Sequence, residues 1–182
     1  MDAALELLVE RGFHGASMEA VAERAGVGKM TVYRRHSNRI EMLTKAIGER
    51  LGVRPVTLTG DSRTDVRAMV EVLAETILQG AGAMMLAAVF AEEKRHPELL
   101  AAYKQRVLWP RRNLLRDVLK SARHRGDIHS RIELEMAVEL VWGAVVARHL
   151  MGTGREDKLV DQVTKVLWDL LGGRTRRYTF DV

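Results

Sequence analysis

The chain has 182 residues, 47% of them apolar and 29% charged, with a net charge of +5 and no cysteine. This composition is too apolar for a disordered chain, and it excludes disulfides and thiolate metal sites. It leaves room for one domain, or two small ones, around a substantial core. The modest positive charge permits a nucleic-acid partner without arguing for one.

Only 3 prolines occur, and Ala, Leu, Glu, Arg and Val dominate. No alternating Val/Ile/Thr runs stand between turn residues, so the expected fold class is all-α. The longest uninterrupted apolar run, Ala83 to Ala91, is about half of what a membrane span needs. Asp2 and Glu6 stand where a signal peptide would need a basic start and an apolar segment. A cytoplasmic protein with no membrane partner is expected.

In chain order, the first helix is expected over about Asp2 to Arg11, ending before Gly12. Ser17 can cap a second helix, with Met18, Val21, Ala22 and Ala25 on its apolar face and Glu19 suiting its dipole in the first turn. Gly26 supplies the positive φ that ends it. A short helix from about Lys29 to His36 follows, then a fourth from near Asn38 to about Leu51. Residues 52–64 hold Pro55, glycines and hydroxyls and read as a loop and domain boundary. The rest reads as a larger helical block: about 65–79, 82–96, 97–125, 133–151 and 156–171, roughly nine helices in all. Pro110 should kink or restart the long middle helix. The tail from Arg174 to Val182 reads as mobile and solubilising.

No acidic residue lies between Glu23 and Glu41, and the stretch carries Arg24, Lys29, Arg34, Arg35 and Arg39 around a turn centred on Gly26. Two helices joined by a tight turn can place the second in a DNA major groove. Val27 is expected to fill the space between the two helices, and Val32 to face inward. Lys29, Thr31, Tyr33 and Arg34 face outward; cations serve guanine or phosphate, and hydroxyls serve phosphate. For any one of these residues a solvated face is the simpler reading, but the set as a whole favours DNA contact.

Phe13, Ser17-Met18-Glu19-Ala20-Val21-Ala22, Ala25-Gly26-Val27-Gly28-Lys29-Met30-Thr31-Val32-Tyr33-Arg34 and Asn38-Arg39 together resemble the N-terminal domain of the tetracycline-repressor (TetR) family of bacterial transcription regulators. The resemblance covers about Ala3 to Ile47. It implies a three-helix helix-turn-helix domain (residues 1–47) and a C-terminal helical domain for effector binding and dimerisation (residues 48–182). It also implies a homodimer whose partners are double-stranded operator DNA and a small-molecule effector, most often acting as a repressor. By the same resemblance Ser17, Tyr33, His36 and Arg39 would meet phosphates, and Lys29, Met30 and Thr31 would lie near bases. Gly28 stands where the family usually has a serine cap, and His36 where it usually has a core phenylalanine.

The 133–151 segment carries two apolar stripes, Leu134, Val138, Val141, Val145 and Ala137, Leu140, Ala144, Ala147, Met151, so it is buried on two sides. One side can face the core and the other a second subunit. The dimer interface is expected at Leu134, Val138, Val141 and Val145, with Leu159, Val163, Val166, Leu167 and Leu170 of the last helix. Met69, Leu73, Met84, Met85, Phe90, Tyr103, Val107, Trp109 and Trp142 are soft or aromatic residues suited to lining a pocket for a mostly apolar effector, although plain core packing explains each one singly.

The basic run Arg111, Arg112, Arg116, Lys120, Arg123 and Arg125 reads as an exposed helix face, and His124 and His129 as surface residues. No cofactor is expected, and neither is an enzyme, because the histidines lack metal or acid/base spacing. The alternative is a helical small-molecule-binding protein of the same fold that no longer recognises specific DNA.

Overall fold

A computed structural model describes residues 1–50, 56–78, 82–152 and 158–173. Expectations for Leu51 to Pro55, Gln79, Thr153 to Asp157 and the Arg174 to Val182 tail lie outside the described residues. Among those residues every regular element is helical: α1 (Asp2–Gly15), α2 (Met18–Arg24), α3 (Lys29–Arg35), α4 (Arg39–Arg50), α5 (Ser62–Leu78), α6 (Gly82–Ala91), α7 (Pro97–Tyr103), a π-helical turn (Lys104–Leu108), α8 (Trp109–His124), α9 (Leu134–Met151) and α10 (Leu159–Leu170). No single helix among them is long and apolar enough to cross a membrane.

The chain forms two compact units, residues 1–54 with 75–111, and residues 55–74 with 112–182. The core of the first joins α1 to α4 with α6, α7 and the π turn. Leu7, Leu8, Phe13, Met42, Leu43, Ile47, Met85, Leu99 and Tyr103 are all sealed within it. Burying side chains of this size contributes about 1.5–3 kcal/mol each, which orders helices too short to persist alone.

Gly12 interrupts α1 at φ 68°, ψ −173°. The break turns the following Phe13 into the core at 1% exposure. Proline shapes the middle of the chain differently from a simple kink. Pro110 cannot donate to the carbonyl four residues back. The chain absorbs this by widening into the π turn just before it: the Trp109 amide donates to the Lys104 carbonyl, five residues back. Arg111 Nη1 then donates to the Val107 carbonyl at 3.0 Å.

In the second unit the loop ahead of α5 folds onto Asp65, which is 3% exposed. Its carboxylate accepts from the Thr59 amide at 2.7 Å and the Gly60 amide at 3.1 Å. Asp61 Oδ1 accepts from the Thr64 amide at 2.9 Å, so the helix starts three residues earlier than its apolar pattern suggests.

Helix α8 meets α9 through charge, with Arg112 2.6 Å and Arg116 3.5 Å from the Glu135 carboxylate. Part of the expected exposed basic face is therefore paired. Helix α5 reaches α10 through Arg67 and Asp161, 2.9 Å apart. Gly152 closes α9 in the left-handed conformation at φ 59°. The exposed positions of His124 and His129 agree with the surface reading.

Candidate nucleic-acid interface

Helices α2 and α3 are set by local chemistry. The Ser17 hydroxyl accepts from the Ala20 amide at 3.1 Å and caps α2. At the other end Gly26 takes φ 65°. Its amide donates to the Glu23 carbonyl at 3.1 Å, while the Val27 amide reaches back to the Ala22 carbonyl at 3.0 Å. This paired arrangement closes the helix and aims the chain into α3 within three residues. Val27 itself is 42% exposed, so it does not fill the space between the helices. Met18, Val21, Ala22 and Val32 do that, each at most 7% exposed. Asn38 Oδ1 accepts from the Glu41 amide at 2.8 Å and starts α4, while Glu41 reaches back to the Ser37 amide at 2.7 Å.

With Val32 inward, α3 turns Lys29, Met30, Tyr33 and Arg34 to the surface, and Thr31 is half-buried. Met30, at 78% exposure, is the most exposed large apolar side chain described. Helix α3 carries no acid, and among the described residues Lys29, Arg34 and Arg35 form no salt bridge. Its cap residue Gly28 offers no side-chain acceptor.

Two of the five cations in this stretch are committed elsewhere. Arg24 pairs with Glu10 at 2.8 Å and Glu6 at 3.3 Å, binding α2 to α1. The Arg39 guanidinium lies 3.9 Å over the Phe13 ring. Its Nη1 also donates to the Phe13 carbonyl at 3.2 Å. The His96 ring stacks on Phe13 at 3.9 Å between centroids. Two groups that close cannot share one face, so Phe13 is held between Arg39 and His96. No local signal exposes these pairs, since Arg39 and Phe13 are 26 residues apart.

His36 corrects its expected role. It is 6% exposed, ends α3 with extended backbone, and its Nδ1 has no hydrogen-bond partner. It takes the place of a core residue rather than an exposed one. Burial holds its pKa below the ordinary value, Lys45 and Arg35 add to this, and Glu41 and Glu49 oppose it.

Residues 1–45 match the family described as "Bacterial regulatory proteins, tetR family", and residues 56–167 match "Tetracyclin repressor-like, C-terminal domain". The chain belongs to the TetR family. The HTH-type transcriptional regulator YdeS of Bacillus subtilis is similar at 28% identity, covering 86% of this chain and 78% of that one. The fatty acid metabolism regulator protein of the same species is similar at 25% identity, covering 80% and 77%. The solved structure of the fatty acid degradation regulator FadR from Bacillus halodurans shares the fold, with a TM-score of 0.69 and 22% identity over 95% and 94% of the two chains. As a TetR-family member the protein is a DNA-binding, helix-turn-helix transcriptional regulator, and the family is one of regulators rather than enzymes.

The apolar positions of α9 in this TetR-family chain differ in burial within one protomer. Val138, Val141 and Val145 are at most 1% exposed within one protomer, and so are Ala137 and Leu159; Leu167 is 3% exposed. They are core. Leu134 and Val163 are half-buried. The surface stripe is Leu140, Ala144, Ala147 and Met151, joined by Val166 and Leu170 of α10. Leu140, Ala144, Val166 and Leu170 of this stripe, with Val141, Val163, Leu167, Arg148 and Gln162, line an open apolar groove of ≈ 630 Å³ between α9 and α10.

The expected effector-lining residues differ in burial. Met85, Tyr103 and Val107 belong to the core shared with α1 and α4. Burial pushes the Tyr103 hydroxyl up to about 12, partly offset by Arg111. Met69 and Leu73 are buried on α5, and Trp142 is half-buried on α9. Met84, Phe90 and Trp109 are exposed, so they do not line a closed pocket in this structure.

Proposed function

We propose that the protein is a homodimeric repressor that releases a pseudo-palindromic operator when a small, mostly apolar effector binds. Residues 1–47 serve DNA and residues 48–182 serve effector and partner. The observation that carries the reading is the outer face of α3: Lys29, Met30, Tyr33 and Arg34 exposed together, with no acid on the helix. Lys29, Met30, Thr31 and Arg34 meet base edges, while Ser17 and Tyr33 meet phosphates. Arg39 keeps its remaining guanidinium donors for phosphate while anchored on Phe13. His36 is left out.

The second copy sits on the exposed face of α9 and α10, built from Leu140, Ala144, Ala147, Val166 and Leu170. A two-fold dimer places two recognition helices in successive major grooves about 34–36 Å apart. The apolar effector is supported by the methionine-rich α6 and by the similarity to a relative named for fatty acid metabolism. Effector and operator weaken one another's binding equally, because the coupling is reciprocal.

Gel shifts on the DNA upstream of the gene test the reading. Binding should resist competitor DNA, weaken steeply with salt, and disappear in Lys29→Ala/Arg34→Ala. Medium- and long-chain fatty acids should raise the melting temperature and release the DNA. Binding that is equal on all sequences, with ligand uptake retained, would favour the helical small-molecule-binding alternative.

A further inference from the structure

A hydroxyl assigned above to DNA is engaged by a carboxylate in the free protein. Glu19, in the first turn of α2, accepts a hydrogen bond from the Tyr33 hydroxyl of α3. That bond is the largest cause holding the Glu19 carboxyl below the usual carboxylate range. Its own backbone amide adds to the effect, burial opposes it, and the Ser17 side chain and the charge of Lys29 contribute less. The same bond pushes the Tyr33 hydroxyl up. Ser17, Lys29 and Tyr33 are three of the residues placed at the DNA. The fold does not need this contact to hold α2 against α3, because Val21, Ala22 and Val32 are buried between them. A carboxylate and a phosphodiester offer donors the same thing, two oxygens sharing one negative charge.

We propose that Glu19 is an internal stand-in for a DNA phosphate: it engages the Tyr33 hydroxyl of the recognition face until DNA displaces it. The inference rests on the DNA-facing reading of α3. A docking phosphate must break the bond between Tyr33 and Glu19 and then lie beside a carboxylate that repels it. Glu19 therefore weakens binding to every sequence alike, which leaves operator preference to the side chains that touch bases. Glu23, on the same helix, has no side-chain partner among the described residues and serves as the control.

The test uses the full chain and a labelled random-sequence duplex, read by fluorescence anisotropy across a potassium chloride series. Glu19→Gln keeps the shape and removes the charge. It should tighten binding about fivefold per recognition helix at low salt, the effect of one like-charge repulsion near 4 Å in water. The slope of log K against log salt should steepen by up to about 0.9. Tyr33→Phe should weaken binding more in the Glu19→Gln background than alone, and Glu23→Gln should give a smaller gain. Unchanged or weaker binding by Glu19→Gln, or an equal gain from Glu23→Gln, overturns the inference. Lys29→Ala/Arg34→Ala separates the two levels. If it leaves binding intact, the DNA face itself is misassigned and the inference falls with it. If it abolishes binding while Glu19→Gln gives no gain, only the inference falls.

Discussion

Replacing Leu140 and Val166 with alanine should separate the dimer and leave the protomer folded. Leu140 is 47% and Val166 65% exposed in the single chain. Leu140→Ala removes three carbons and Val166→Ala two, at about 0.8 kcal/mol for each one buried. Scaled by the exposure that a partner would cover, each change removes about 1 kcal/mol per protomer. A two-fold interface counts every side chain twice, so the double variant should lose about 4 kcal/mol, a 1,000-fold rise in the dimer Kd. Sedimentation equilibrium over protomer concentrations spanning the wild-type Kd measures it.

Val138→Ala is the counterpart, because Val138 is 0% exposed in one protomer. It should lower folding stability by about 2 kcal/mol through two lost buried carbons and the cavity they leave. Denaturant midpoints taken at one protomer concentration well above the Kd keep dissociation out of the comparison. If Val138→Ala splits the dimer at unchanged stability while Leu140→Ala/Val166→Ala leaves the Kd alone, the two stripes of α9 have been assigned the wrong way round.

Gly28→Ser should stabilise the protein by a few tenths of a kcal/mol. The backbone there, φ −64° and ψ 141°, suits any residue, and no atom lies within 4 Å of an added Cβ. A drop in thermal midpoint would show that α3 starts elsewhere. His36→Phe should remove a pH dependence. The folded-state pKa of His36 lies below its unfolded value, so protonation favours the unfolded chain, and stability falls as pH drops below about 6.5. Chemical denaturation between pH 7.5 and 5.5, the range spanning the unfolded histidine pKa of about 6.5, should show a decline in wild type that is smaller in His36→Phe. Parallel declines would place the titration in another residue. Phe13→Leu keeps apolar volume but removes the ring between Arg39 and His96; a loss of about 1–2 kcal/mol in denaturant stability is expected. An unchanged midpoint would mean that the stack contributes nothing.

The helical class and several helix ends were legible in the sequence because their signals act within a few residues, whereas the ends of α1 and α6 and the break of the middle helix at the π turn were not. Ser17 and Asn38 cap through amides three positions on, Gly26 and Gly152 take the positive φ that closes a helix, and the spacing of Met18, Val21 and Ala22 already defines one buried face. The outward face of α3 was legible for the same reason: with Val32 fixed inward, helical geometry sends Lys29, Tyr33 and Arg34 outward. Tertiary structure alone decided which apolar stripe of α9 is core, because two stripes of similar composition are equivalent until α8 and α10 take their places. It alone committed Arg24 to Glu6 and Glu10, pressed Arg39 onto Phe13 and joined Tyr33 to Glu19. Each of these joins residues from different helices, and side-chain charge or size does not say which distant helix will arrive beside it.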